Sequence, residues 1–411
     1  MTIKNIRMDQ LIRAIAVALD MVEGELLGAS TNHGKRIAVL AAAMGRRFGM
    51  DDRSLSALTT CALFHDSALT EYILAEREGH DPAMKTHCQS GQRNVDDLLG
   101  DTGAAGFVLY HHERADGLGP FGKKEGDFPR GAALIAIADM LDVTRHLQRI
   151  PETGLPDLRR EIAEEAGNAF TREASRAMLD ILDGGTLLSL RDDRIAETAR
   201  GTIPPWVTDI EDRAVFRIAG LSARIIDYKS VFTRRHSVQI ANRSWLMGSY
   251  YGYGQPRRMG IYLAASLHDI GKIATPAHIL EKPGRLSDDE FAVIKDHVWH
   301  TWNILKDVNG FEAICDLASS HHEKLDGTGY PFGKKAEALD FDARMLACVD
   351  IYQAVSEARP YHDRRSHGET MPVLYDMAKK GFIDGVIVKD MDTVMAEYSN
   401  RDVPPPLDAG G

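Results

Sequence analysis

Residues 267–272 read Leu267-His268-Asp269-Ile270-Gly271-Lys272, and residues 321–331 read His321-His322-Glu323-Lys324-Leu325-Asp326-Gly327-Thr328-Gly329-Tyr330-Pro331. Both belong to an ordered series of His and Asp that the chain writes twice. In the second half the series is His236, His268-Asp269, His297, His321-His322, Asp350; in the first it is His33, His65-Asp66, His87, His111-His112, Asp139. The lone His precedes the His-Asp pair by 32 residues in both copies, and the next His precedes the His-His pair by 24 in both. A repeat of this length in a 411-residue chain identifies two structural units of one kind. The second copy is seven residues longer between those intervals, in a stretch from Thr275 to Ser287 containing Lys282-Pro283-Gly284, which reads as a loop insertion. The words after the His-His pair also repeat, with Gly117-Leu118-Gly119-Pro120-Phe121-Gly122 against Gly327-Thr328-Gly329-Tyr330-Pro331-Phe332-Gly333 and one residue missing from the first.

The intervening sequence is helical. Leu11, Ile12, Ile15, Leu19 and Val22 recur at helical spacing with Arg13 and Asp20 between them, which predicts an amphipathic helix rather than a signal segment. Ser287 to Glu290 is a capping-box pattern, and Phe291, Ile294 and Val298 follow on one face, which places His297 on a helix. Strand-like alternation is scarce. The expected fold is all-α, two helical bundles in tandem, each with ligands projecting from several helices into one cavity. The Pro pair of Gly201-Thr202-Ile203-Pro204-Pro205 ends a helical stretch and sets the expected boundary, with units 1–203 and 204–411.

Composition narrows the function classes. Hydrophobic residues make up 44% and charged residues 27%, as in globular proteins, and the net charge of -11 without a Lys/Arg run excludes tracking of a nucleic-acid polymer. Cys61, Cys88, Cys315 and Cys348 are scattered with no CxxC pair, so neither a disulfide framework nor a zinc finger is expected and a cytoplasmic location fits. No apolar run approaches the roughly 18 residues of a membrane span, so no membrane partner is expected.

Five His and two Asp in the second series are most economically explained as a metal cluster of imidazole and carboxylate ligands. The two quoted stretches resemble the HD superfamily of phosphohydrolases, and the second is similar almost letter for letter to the signature of its HD-GYP subgroup. The resemblance covers the second half closely and the first half in degraded form. It implies two HD-type bundles and a metal-dependent phosphodiesterase that opens a cyclic dinucleotide, cyclic di-GMP or 3'3'-cyclic GMP-AMP, to the linear dinucleotide or to mononucleotides. It further implies that Asp269 bridges two divalent ions, iron or manganese, with His236, His268 and Asp350 completing one and His297, His321 and His322 the other. Two such ions polarise a phosphate and activate water, so no separate nucleophilic side chain is required.

Lys272, four residues after His268, is placed to meet a non-bridging phosphate oxygen as a point charge, where the plainer alternative is a solvated surface Lys. Arg359, nine residues after Asp350, matches the family's phosphate-binding Arg, against the alternative of a helix-end surface charge. Gly327 and Gly329 permit a tight loop that presents Tyr330 either to the substrate or to the packing around it. Two residues depart from the family pattern. Phe232 stands where some members place a Glu for a third metal, which favours a binuclear site, and His362 stands where a basic residue often follows the Arg-Pro-Tyr triplet.

The first half keeps every ligand position, His33, His65, Asp66, His87, His111, His112 and Asp139, but has Leu69 for Lys272, Gln148 for Arg359 and Pro120 directly after Gly119. It is expected to bind metal or to be purely structural, with little activity, regulating or bracing the second half. A homodimer or a signalling-protein partner is compatible with this reading. The rival readings are a catalytically weak interaction scaffold, disfavoured by the complete ligand set with Lys272, and a nucleotidohydrolase of mononucleotides or (p)ppGpp, disfavoured by Gly329-Tyr330-Pro331.

Overall fold

The computed structural model describes residues 6–27, 32–69, 84–100, 103–208, 210, 212–227, 236–280, 282, 284–357, 364–399 and 401–406. Apart from one two-stranded ribbon, every regular element among them is helical, as expected from the sequence. The chain divides into two compact units, Leu11–Trp206 and Met1–Gln10 with Val207–Gly411. The division near Trp206 falls three residues beyond the expected boundary, and the beginning of the chain belongs with the C-terminal unit. The cause is local pairing: β1 (Ile6–Arg7) runs antiparallel to β2 (Val207–Thr208), Ile6 is fully buried, and Arg7 N–H donates to the Asn309 carbonyl at 3.2 Å. No helix among the described residues is long and apolar enough to cross a membrane.

The first unit takes up α1 (Met8–Leu27) from Leu11 onward and contains α2 (His33–Arg47), α3 (Asp52–Leu63), α4 (Met84–Leu99), α5 (Arg130–Arg145), α6 (Leu155–Glu164), α7 (Arg172–Ile181), α8 (Gly184–Ser189) and α9 (Ile195–Thr202). The expected amphipathic stripe lies in α1, where Leu11, Ile12, Ile15 and Leu19 are buried. Helix α2 packs against both α3 and α5, and Ile37, Leu40 and Ala41 on α2, Leu58 and Ala62 on α3, and Leu134, Ile137 and Ala138 on α5 are all buried.

The C-terminal unit contains α10 (Asp212–Asp227), α11 (His236–Tyr250), α12 (Gln255–Leu267), α13 (Ala277–Leu280), α14 (Asp288–Leu305), α15 (Glu312–Ala318), α16 (Phe341–Ser356), α17 (His367–Lys379) and α18 (Gly385–Met395). Its core repeats that arrangement, with α11 packed on α12 and α16 through Ile240, Ala241, Leu263, Ala264, Leu346 and Val349. Two caps set the phase of the helices that carry His297 and Asp350. Ser287 accepts from Glu290 N–H at 3.2 Å while Glu290 accepts from Ser287 N–H at 2.7 Å, the expected capping box before His297. Asp340 accepts from Ala343 N–H at 2.8 Å and starts the helix that holds Asp350. The stretch read as a loop insertion, 275–287, folds in part as the single turn of α13; its counterpart at 70–83 lies outside the described residues.

Candidate metal centre

Five segments of the C-terminal unit converge. His236 opens α11; His268 caps α12; Asp269 leads into a 3₁₀ turn, Ile270–Ala274, that carries Lys272; His297 lies within α14; His321 and His322 follow α15; and Asp350 lies within α16. The His-Asp turn presses on α14 so closely that a Cβ at Gly271 would stand 2.0 Å from the His297 carbonyl oxygen. Thr301, one turn past His297, donates its hydroxyl to the His268 carbonyl at 2.8 Å and accepts from Gly271 N–H at 3.0 Å, which clamps the turn.

The seven predicted ligands gather in one cluster around Asp269, all buried except the half-buried His322. Its Oδ2 lies 3.2 Å from His268 Nε2 and 3.8 Å from His236 Nε2, and its Oδ1 lies 3.2 Å from His297 Nε2 and 3.9 Å from His321 Nε2. Asp350 lies 3.4 Å from His236 Nε2 through Oδ1 and 3.6 Å from His322 Nδ1 through Oδ2. One carboxylate thus faces a set on each side, with His236, His268 and Asp350 on one and His297, His321 and His322 on the other, ligand atoms within each set lying within 4.8 Å of one another.

The far ring nitrogens explain why this arrangement favours a cation. His268, His297 and His321 place Nδ1 at 2.6, 2.6 and 2.7 Å from the carbonyls of Ala265, Ile294 and Ala318. A carbonyl only accepts, so each Nδ1 carries the hydrogen and each ring turns Nε2 inward as its available ligand atom. Those atoms face the Asp269 carboxylate, and His297 and His321 face each other at 3.3 Å. His268 Nε2 and Asp269 Oδ1 are buried without a hydrogen-bond partner. Lone pairs and carboxylates directed at one another repel unless positive charge lies between them, and divalent ions of the kind that imidazole and carboxylate accept fit the set.

The protonation equilibria agree in the main. Burial pushes His322 down to about 3, and burial with the neighbouring rings holds His321 well below the ordinary imidazole value. Burial pushes the Asp269 carboxyl up, but His268 and Lys272 outweigh it and hold the group well below the usual carboxylate range. His236 behaves differently: burial opposes its charge, yet Asp350 and Glu357 raise it to about 9, so a metal there would displace a proton.

Lys272 Nζ lies 2.5 Å from Asp269 Oδ2 and its side chain is 19% exposed, so it sits at the rim of the centre and is no solvated surface Lys. Tyr330 packs against His322, ring centroids 4.9 Å apart and planes tilted by 39°, and its N–H donates to the His322 carbonyl at 3.2 Å. Burial and the charges of Asp350 and Asp269 push its phenol up, keeping it a hydrogen-bond donor. Arg359, Phe232 and His362 lie outside the described residues.

Two carboxylates escaped the sequence reading. Glu357 Oε2 accepts from His236 Nδ1 at 2.9 Å, and its only sequence signal is its place two helical turns beyond Asp350. Glu323 is buried and accepts from Phe332 N–H at 2.7 Å and Lys334 N–H at 2.9 Å, tying down the loop that bears Tyr330. Its signal was in view, because a Glu follows the His-His pair in both copies.

The first unit gathers its own series. Asp66 Oδ2 lies 3.4 Å from His65 Nε2, and Oδ1 lies 3.3 Å from His87 Nε2 and 3.6 Å from His111 Nε2. Asp139 lies 3.2 Å from His33 Nε2, 3.5 Å from His65 Nε2 and 4.0 Å from His112 Nδ1. Glu113 holds its loop as Glu323 does, accepting from Phe121 N–H at 2.5 Å and Lys123 N–H at 2.6 Å. The tight contact of the His-Asp turn is met in reverse, with Ala68 where Gly271 stands and Gly91 where Thr301 stands; a Cβ at Gly91 would lie 3.2 Å from the His65 carbonyl oxygen.

Residues 221–387 match the HD domain family. The C-terminal unit contains an HD domain. Along most of its length the chain is also similar to a 3'3'-cGAMP-specific phosphodiesterase of Vibrio cholerae, 28% identical over 396 residues that cover 93% of this chain and 90% of the relative. A cyclic di-GMP phosphodiesterase of Pseudomonas aeruginosa is 39% identical over 131 residues, 32% of each chain. In fold, the chain resembles the crystal structure of a cyclic GMP-AMP-specific phosphodiesterase from V. cholerae, with a TM-score of 0.65 at 21% identity over 95% of this chain and 98% of that one. The HD domain thus encloses His236, His268, Asp269, His297, His321, His322 and Asp350.

Proposed function

We propose that the HD domain is a metal-dependent phosphodiesterase of the HD-GYP kind that hydrolyses a cyclic dinucleotide, with 3'3'-cyclic GMP-AMP as the preferred substrate. The observation that carries this reading is Asp269, whose two oxygens face two histidine sets and whose neighbour Lys272 supplies a cation at the rim. His236, His268 and Asp350 would hold one divalent ion and His297, His321 and His322 the other, with Asp269 between. When bound, such a pair supplies Lewis-acid polarisation of the scissile phosphate and activation of water.

The chain's own residues do the rest. The carbonyls of Ala265, Ile294 and Ala318 fix three rings in the tautomer that binds metal, and Glu357 does the same for His236. Lys272 brings positive charge to the side of the centre where a phosphate enters and stabilises charge developing on its non-bridging oxygens. Tyr330, held beside His322 by the Glu323 loop with the two rings tilted by 39°, offers a phenol next to the metal ligands. Arg359 is assigned the second phosphate contact on its position in sequence alone. The substrate preference rests on the relative that matches nearly the whole chain.

The test is incubation of the purified chain with 3'3'-cyclic GMP-AMP, cyclic di-GMP and cyclic di-AMP, each with Mn²⁺ or Fe²⁺, and chromatography of the products. Cyclic GMP-AMP should be consumed about tenfold faster than the others, the ratio that about 1.4 kcal/mol of differential transition-state binding provides. Equal or faster turnover of cyclic di-GMP would reverse the preference, and no hydrolysis under either metal would overturn the activity.

A further inference from the structure

The first unit, outside the HD domain match, carries a polar cluster that hydrogen bonding leaves unsatisfied. His33 Nε2, His65 Nε2, Asp66 Oδ1, both ring nitrogens of His87 and His111 Nε2 are buried without a hydrogen-bond partner. His65 and His111 place Nδ1 at 2.9 and 2.6 Å from the carbonyls of Ala62 and Val108, so each turns Nε2 toward Asp66, and His65 toward Asp139 as well. Two donor sets share Asp66: His33, His65 and Asp139 on one side, His87, His111 and His112 on the other. Water would satisfy a few such atoms; imidazoles and carboxylates converging in two sets on one shared carboxylate fit divalent cations, which would displace any proton held there.

The surroundings differ from the catalytic centre in ways that bear on its role. Leu69 stands where Lys272 stands in the second series, and Pro120 follows Gly119 with no tyrosine between. His33 Nδ1 is held at 2.7 Å by Asp142, and Asp142 is gripped by Arg36 through Nε at 2.7 Å and Nη2 at 2.9 Å, both side chains fully buried. In the second series His236 Nδ1 is held at 2.9 Å by Glu357, and Gln353, at the position of Asp142, accepts from Arg243 at 2.9 Å. The first cluster is therefore braced into helix packing on the side away from the ligands. Its ligands come from α2, from the end of α3, from α4, from the turn at 108–112 and from α5.

We propose that the first unit holds a second divalent-metal centre, on Asp66 and its six partners, whose role is structural: it pins these segments together and binds no phosphate. The full-length Asp269→Ala chain, whose own HD-domain centre is disabled, tests this without reference to hydrolysis. Loaded with Mn²⁺ and freed of excess, it should retain bound Mn²⁺ by elemental analysis, and adding Asp66→Ala should remove at least about nine-tenths of that metal. Chelation should lower the unfolding temperature of the Asp269→Ala chain by at least about 5 °C, with Mn²⁺ restoring it, as saturating binding to the folded state requires. Should the double variant fail to fold, Asp269→Ala with His112→Ala, which removes a ligand at the half-exposed rim, should raise the Mn²⁺ Kd about tenfold. A folded Asp269→Ala chain without Mn²⁺ would overturn the centre. Bound Mn²⁺ whose removal leaves the unfolding temperature unchanged would overturn its structural role, and Mn²⁺-dependent binding of a cyclic dinucleotide by that chain would overturn the claim that it takes no phosphate.

Discussion

Lys272 contacts Asp269 and Glu357 contacts His236, and the two do different work. Lys272 is not a ligand, so Lys272→Ala should keep the metal content of the HD domain and lower kcat by about 100-fold, the effect of removing one preorganised charge from a developing oxyanion. Elemental analysis beside steady-state kinetics separates the cases; parallel loss of metal would make Lys272 a structural partner of Asp269. Glu357 acts through His236. Glu357→Ala should weaken Mn²⁺ binding about 10–100-fold, and Glu357→Gln, which keeps an acceptor for Nδ1–H, should recover part of that loss. Calorimetric titration with Mn²⁺ reads both, and an unchanged Kd for the Ala variant would remove Glu357 from the site. At this scale the clustered His and Asp residues were legible because identical intervals recur in two copies, whereas Glu357 was not, since the first unit braces its corresponding histidine with Asp142, a residue at another position.

At the scale of single elements, sequence signals that act within a few residues were readable and contacts between elements were not. The Ser287 and Glu290 box lies within one turn and appears as expected. The closeness of the 3₁₀ turn to α14, which requires Gly271, depends on two segments meeting in space, and no local pattern announces it. The loop bearing Tyr330 is intermediate. Its glycines mark a turn, Gly327 at a φ of 82°, but what holds the loop is Glu323, and only the repeat of that residue in the first unit could have shown it. Glu323→Ala leaves two backbone N–H groups without their charged acceptor, a cost of about 2–5 kcal/mol. The unfolding temperature of the C-terminal unit should fall by about 5–15 °C, with Tyr330 fluorescence or proteolysis of the loop reporting its release. A shift under about 2 °C would mean that the loop is held by its other contacts.

Across the whole molecule, the repeat disclosed two units, and the part it could not disclose was the assignment of the first ten residues, because a two-residue strand has no periodicity to read. The more consequential comparison is between the two centres. Both present a carboxylate flanked by two histidine sets, yet one has Lys272 and Tyr330 while the other has Leu69 and Pro120. A metal site without a cation for the reacting phosphate holds its ions but gives little stabilisation that grows in the transition state. Hydrolysis should therefore depend on the two bridging carboxylates unequally. Asp269→Ala should leave less than about a hundredth of the rate, whereas Asp66→Ala, assayed well below its unfolding temperature, should retain at least about a third, its loss reflecting stability rather than chemistry. The assay is cyclic dinucleotide turnover at saturating Mn²⁺, with circular dichroism to verify folding of each variant. If Asp66→Ala, still folded, were as damaging as Asp269→Ala, both centres would have to act on substrate, and Leu69 and Pro120 would not mark the inactive one.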